Sequence, residues 1–156
     1  MNRNTSVLAQ AKSLVILALL VNGGLIYGAS AASEEVSFDL EACRSEAKTT
    51  LDYNYCASRA EEVADQLLNQ YLEKAYEQRG SEAAKSEIFR SQVFWEAYRG
   101  SHCQAAEGEG SISTMMYHQC RARVTNARTL EVWESFLWGI GGSGNSVLPK
   151  PVFDTQ

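Results

Sequence analysis

Proline is almost missing from this chain: of 156 residues only Pro149 and Pro151, close to the C-terminus, are proline. Everything before them is free of the residue that removes a backbone donor and breaks helices. Strand signals are missing as well. No segment alternates apolar and polar residues with a period of two, and after residue 32 no Asn-Gly or Asp-Gly pair offers a tight hairpin turn. No internal repeat recurs at a fixed period. An excess of basic charge is lacking too, with 14 Lys and Arg against 19 Asp and Glu. Such a chain gains nothing electrostatically from DNA, RNA or an anionic lipid surface, so nucleic acid is not expected as a partner.

The N-terminus has the order of a secretory signal peptide. Arg3 and Lys12 precede the apolar run Leu14 to Gly28, and small residues follow in Ala29-Ser30-Ala31-Ala32-Ser33. The run is interrupted by Asn22, Gly23 and Gly24 and is short of the roughly 20 apolar residues that span a bilayer. Cleavage after Ala31 or after Ala32 fits the small-residue rule equally. Residues 1–32 are therefore expected to be a signal peptide, the protein to be periplasmic or secreted, and membrane contact to follow only if that segment is retained. Its removal takes away Arg3 and Lys12 and no acid. The remainder then has 12 basic and 19 acidic residues, a formal charge of −7. A basic partner would be attracted over some distance.

The remaining residues are enough for one helical domain, expected over 33–138, with a flexible Gly/Ser/Pro tail over 139–156. Residues 33–42 read as a polar lead-in. From Cys56 to Tyr76, Ala60, Ala64, Leu67, Tyr71 and Ala75 recur at three and four, widened by Val63, Leu68 and Leu72, with Glu61, Glu62, Glu73 and Lys74 on the wet side. Gly80 offers a left-handed stop and Ser81 a cap for a second helix of about Ser81 to His102. In that helix Ile88, Gln92, Trp95 and Tyr98/Arg99 share helical spacing. Gly108 and Gly110 break the chain, and Ser111 or Ser113 can cap a third helix with Tyr117, Cys120, Val124, Ala127, Leu130, Trp133 and Leu137 on one face. The expected fold is all-α, a small antiparallel three-helix bundle.

All four cysteines, Cys43, Cys56, Cys103 and Cys120, lie after the signal segment, and an even count in an exported chain reads as two disulfides. Three pairings are open. Cys43–Cys56 with Cys103–Cys120 is preferred, because each closes a short loop and the second clamps the glycine-rich turn. A zinc site of His102, Cys103, His118 and Cys120 has suitable residue types, but the His-Cys and His-x-Cys spacings match the usual ligand pairs poorly. Catalytic thiol chemistry needs a thiolate, a base and an orienting group, and the Cys-x-x-Cys of thioredoxin-type exchange is missing. No metal or other cofactor is expected.

Other constellations have plain structural readings. Trp95, Tyr98, Trp133, Phe136 and Trp138 at helical spacing are read as core, the alternative being a ligand groove. Arg99 and Arg128 are read as partly buried structural arginines, the alternative being a ligand carboxylate clamp. Glu107 and Glu109 sit among glycines beside Cys103 and are read as solvated, or as a loop that meets a basic partner.

The string Gln92-x-x-Trp95-x-x-Tyr98-Arg99-x-x-x-Cys103, then Gly110-Ser111, then Cys120-x-x-x-Val124-Thr125-x-x-Arg128-Thr129-x-x-Val132, resembles the LprI-type lysozyme-inhibitor family of exported bacterial proteins. With Cys43 and Cys56 upstream the resemblance covers about residues 40–133. It departs from the family pattern at Gly100, where an acid is usual, at Val132, where leucine is usual, and around Leu67 to Tyr71, where Leu68-Asn69 is one residue out of register. The resemblance implies a small helical, disulfide-bearing envelope protein and lysozyme as a protein partner. The sequence thus leads to an exported binding protein and inhibitor of lysozyme or a related cell-wall hydrolase, not an enzyme. An envelope interaction or structural module without a hydrolase target is the alternative.

Overall fold

The structure is a computed structural model that describes residues 38–139 and 146–153. The expected signal peptide, residues 1–32, lies outside the described residues. The described part is all-helical: α1 (Leu40–Glu46), α2 (Thr50–Glu77), α3 (Glu82–Ala106) and α4 (Ser113–Val132), with α4 running on into a π-helical turn, Trp133–Leu137. Three long helices are as expected, but the count is corrected by α1, which forms where a polar lead-in was read. The Asp39 carboxylate caps it by accepting from the Ala42 N–H at 2.8 Å. Phe38 and Leu40 have a task that periodicity could not reveal, since they cover the small buried residues Ala60, Ala64 and Ala122.

α2 begins well before Cys56. Thr49 and Asp52 form a reciprocal capping box, with Asp52 N–H donating to the Thr49 hydroxyl at 3.2 Å and Thr49 N–H donating to the Asp52 carboxylate at 2.9 Å. Lys48 N–H donates to the same carboxylate at 3.0 Å. At the other end Gln78 closes α2 in a right-handed conformation, its N–H meeting the Lys74 and Tyr76 carbonyls. Gly80 is therefore not needed in the left-handed region, and among the described residues the glycines with positive φ are Gly108, Gly110 and Gly139. Ser81 does cap α3, accepting from Ala84 N–H at 3.2 Å. Neither Ser111 nor Ser113 caps α4; Ile112 holds that place without a side-chain hydrogen bond.

α2 and α4 run parallel and α3 runs against both, as shown by the ordered pairs Glu61–His118 and Asp65–Thr125 and the reversed pairs Gln92–Arg128 and Cys103–Cys120. α4 packs most extensively on α2. Their contact face carries Ala60, Ala64, Ala122 and the fully enclosed Thr125 and Thr129, side chains small enough for two backbones to approach closely. Above it lies the main apolar cluster of Leu68, Tyr71, Leu72, Ala75, Ile88, Val132, Trp133 and Leu137. Of the adjacent leucines on α2, Leu68 is buried and Leu67 only packs against the cluster's edge. The expected face of α4 is turned: Ala127 is exposed and Thr125, Arg128 and Thr129 are buried, because polar partners on α2 and α3 draw them inward.

Within the segment read as a tail, residues 146–153 lie against the bundle. The Tyr71 hydroxyl donates to the Pro149 carbonyl at 2.8 Å, and Trp133 Nε1 donates to the Leu148 carbonyl at 2.9 Å. Burial raises the Tyr71 phenol above its ordinary pKa.

Cys43 pairs with Cys56 and Cys103 with Cys120, at Cα separations of 5.8 and 5.5 Å. Replacing both Cys103 and Cys120 by serine frees a loop of 17 residues in the unfolded chain. The expected cost is about 3 kcal/mol, read as a lower urea midpoint in non-reducing buffer. A second expectation concerns acid. The backbone of Lys48 and then the hydroxyl and backbone of Thr49 hold the Asp52 pKa below the ordinary carboxylate value. A depressed carboxylate contributes stability that is present above its unfolded pKa and is lost as pH falls through its folded one. Asp52→Asn should therefore lower the melting temperature at pH 7, and the difference from wild type should shrink below about pH 4.

Candidate functional site

α3 is built inside out. The residues it buries are Ile88, Gln92, Arg99 and Cys103, of which only Ile88 is aliphatic. Outward it shows Phe89, Val93, Phe94 and Tyr98, at 63%, 47%, 69% and 55% exposure. A helix that held its place by apolar burial would have the opposite pattern.

Polar ties replace the missing apolar ones. Arg99 forms an ion pair with Asp65 of α2 and donates to the Thr125 hydroxyl of α4 at 2.7 Å, so one guanidinium joins three helices. Arg128 of α4 donates through Nε to the Gln92 carbonyl oxygen at 3.3 Å and through a terminal nitrogen to the Ser91 hydroxyl at 3.0 Å. It also pairs with Glu131 at 2.9 Å. The Trp95 ring lies beside both cations, 4.8 Å from the Arg99 guanidinium and 5.9 Å from that of Arg128. Gln92, Trp95, Arg99, Thr125 and Arg128 thus meet in one network. The Arg99 pairing also answers where its acid comes from when Gly100 follows it: Asp65 supplies the carboxylate from another helix.

The remaining residues singled out in sequence stand apart from this network. Tyr98 is on the outer face of α3, its ring stacked on that of His102 with centroids 5.2 Å apart. Trp138 is also exposed, contrary to the core reading, whereas Trp133 is buried and Trp95 and Phe136 pack against clusters from the edge. Gly110 takes φ 91° in the α3–α4 turn and its carbonyl accepts from Ser113 N–H at 3.2 Å, a conformation that suits glycine; Ser111 is exposed. Glu107 ends α3 half-buried, and Glu109 projects from the turn.

A second charged group was missed in sequence. Glu61, read as solvated, has a side chain only 13% exposed; it pairs with Arg121 and lies 2.6 Å from His118 Nδ1. Burial opposes the Arg121 charge, but the hydrogen bond and attraction of Glu61 outweigh it and hold its pKa above the ordinary value. His118 therefore has a carboxylate partner, while Cys103 and Cys120 are committed to a disulfide. These residues do not converge as a metal quartet. Among the described residues no group of three or more His, Cys, Asp or Glu side chains is arranged to hold a metal ion.

The arrangement defines a class: a disulfide-tied helical bundle with its polar residues spent on internal ties and large apolar side chains left facing water around the outer half of α3. The family model described as lysozyme inhibitor LprI matches residues 41–132, more than half of the chain, and the protein belongs to that family. No curated protein and no solved structure matches it.

If Arg99 ties α3 to the bundle, Arg99→Met should destabilise the protein by about 2–3 kcal/mol in urea unfolding. That is below the cost for a fully enclosed pair, since the Asp65 side chain is 35% exposed. Arg99→Lys should recover little of the loss, because a lysine lacks the planar fork that meets Asp65 and Thr125 and stacks on Trp95.

Proposed function

We propose that the protein is an exported, periplasmic or secreted binding protein that inhibits lysozyme or a related cell-wall hydrolase by covering part of its surface, without chemistry of its own. The observation that carries this reading is the outward face of α3. Phe89, Val93, Phe94 and Tyr98 are exposed on a helix whose inward face is largely polar, an arrangement that costs solubility and has its use when a partner covers it. Membership of a lysozyme-inhibitor family supports a hydrolase of this class as the partner. The charge of −7 expected after loss of residues 1–32 steers such a protein toward a basic hydrolase.

In this reading Glu107 and Glu109 guide the encounter and do not plug the catalytic cleft. C-type lysozymes line that cleft with carboxylates, and two more would be repelled there. Contact then falls to groups other than these two.

The test is titration of the purified oxidised protein into a turnover assay with a basic C-type lysozyme, at low and high salt. Stoichiometric inhibition that weakens about tenfold or more as salt is raised is expected, along with loss of inhibition in Val93→Ser/Phe94→Ser. Unchanged turnover with several lysozyme types, by a protein that melts normally, would move the reading to an envelope interaction module without a hydrolase target.

A further inference from the structure

α2 and α3 each pack on α4 more closely than on each other, and the two leave an open groove between them. Its walls are Glu73, Tyr76 and Glu77 of α2 and Phe89, Gln92 and Glu96 of α3. Phe89 stands 63% exposed at the edge, and Gln92, only 8% exposed, sits deep. The Gln92 carbonyl oxygen is taken by Arg128, and its amide reaches the Glu96 carboxylate at 3.4 Å. Tyr76 lies near the same carboxylate: burial first, and then Glu96, holds its phenol above the ordinary value against the opposing pull of Arg128. The one cation on the wall, Lys85, is engaged by Glu82 at 2.8 Å, outside the groove's lining.

Two aromatic rings and the Glu73 and Glu96 carboxylates stand around one opening; Glu77 is already paired with Lys74 at 2.8 Å, as Lys85 is with Glu82, so the charge left to the groove is negative and suits a positive group carried on an apolar stem. We propose that the α2/α3 groove is the partner-binding site and that it receives a lysine or arginine side chain of a basic protein. The aliphatic stem lies against Phe89 and Tyr76, and the charged head meets Glu73 and Glu96. This rests on the binding reading above and gives it a location, since Phe89 and its neighbour Val93 are among the exposed apolar residues of α3. A free amino acid would gain little in so open a groove. A side chain presented by a folded protein, whose surface also covers Val93 and Phe94, loses less freedom on docking.

The experiment is an NMR titration of ¹⁵N-labelled, oxidised protein with three probes: a basic C-type lysozyme, hexalysine, and hexalysine acetylated on every amine. Expected are shifts of Asn69, Glu73, Phe89 and Glu96 amides with lysozyme and with hexalysine, but not with the acetylated peptide. Binding should weaken at least tenfold in Glu73→Gln/Glu96→Gln and in Phe89→Ala, which alter exposed side chains and should leave the remaining spectrum in place. Lysozyme binding at unchanged affinity in these variants, with shifts confined to other surfaces, overturns the groove and leaves the inhibitor reading standing. Groove shifts with hexalysine alone support the groove and count against lysozyme as the partner. No groove shift with either cationic probe overturns the inference.

Discussion

The Arg99 guanidinium is the tie on which the placement of α3 depends. α3 offers the interior one aliphatic side chain, Ile88, and one half-cystine, so area burial alone would hold it weakly and in no particular rotation. Directional bonds do what apolar area does not. Arg99 fixes the helix against Asp65 and Thr125, Arg128 fixes it about two turns away through Ser91 and Gln92, and Cys103–Cys120 fixes its last turns covalently. With rotation set this way, the outer face is released from any part in folding, and Phe89, Val93, Phe94 and Tyr98 occupy it.

A second constraint acts on α2 and α4. Alanines and threonines at their contact allow a close approach, but small side chains leave little apolar area at that level of the bundle. Phe38, Leu40 and the Cys43–Cys56 bridge make up the deficit from outside by laying α1 over the alanines. The tighter α2–α4 pair in turn explains why the groove lies on the α3 side. Larger residues, Leu72 and Tyr76 on α2 and Gln92 and Trp95 on α3, space those two helices apart where they share α4 as a common support.

Much of this was legible in the chain itself. The absence of proline before residue 149, the spacing of the α2 alanines and the Ser81 cap indicated long helices, and the short cysteine spacings indicated the two local bridges that form. What escaped was whatever depended on a partner distant in sequence. Glu61 looks like a wet-side glutamate until α4 brings Arg121 and His118 to it, and Thr125 looks like a weak helix residue until Asp65 and Arg99 enclose it. Periodicity counts apolar residues, so it placed Leu130 rightly against the main cluster but also put the exposed Ala127 on the buried face of α4, and it had no means of assigning Arg128. The same bias made Tyr98 and Trp138 core residues, because an aromatic on a helix carries no mark of which way the helix is turned. The motif string did carry that information in another form: Gln92, Trp95, Arg99, Thr125 and Arg128 are the residues that set the rotation of α3.

In the binding role proposed for this protein, two properties of its surface act at different distances. Net negative charge draws any basic protein and is screened within about 10 Å at ordinary salt, so it raises encounter rates without selecting among basic partners. Selection in that role has to come from contacts made after water is expelled, where the exposed aromatics of α3 and the proposed groove would discriminate by shape and desolvation. The fold separates these duties in space. The acids of the α3–α4 turn lie at the Cys103–Cys120 end of the bundle, whereas Phe89 and the groove lie about midway along α3 toward its N-terminus. A partner can be attracted broadly by the charge of the whole and retained only where the inverted face of α3 fits it.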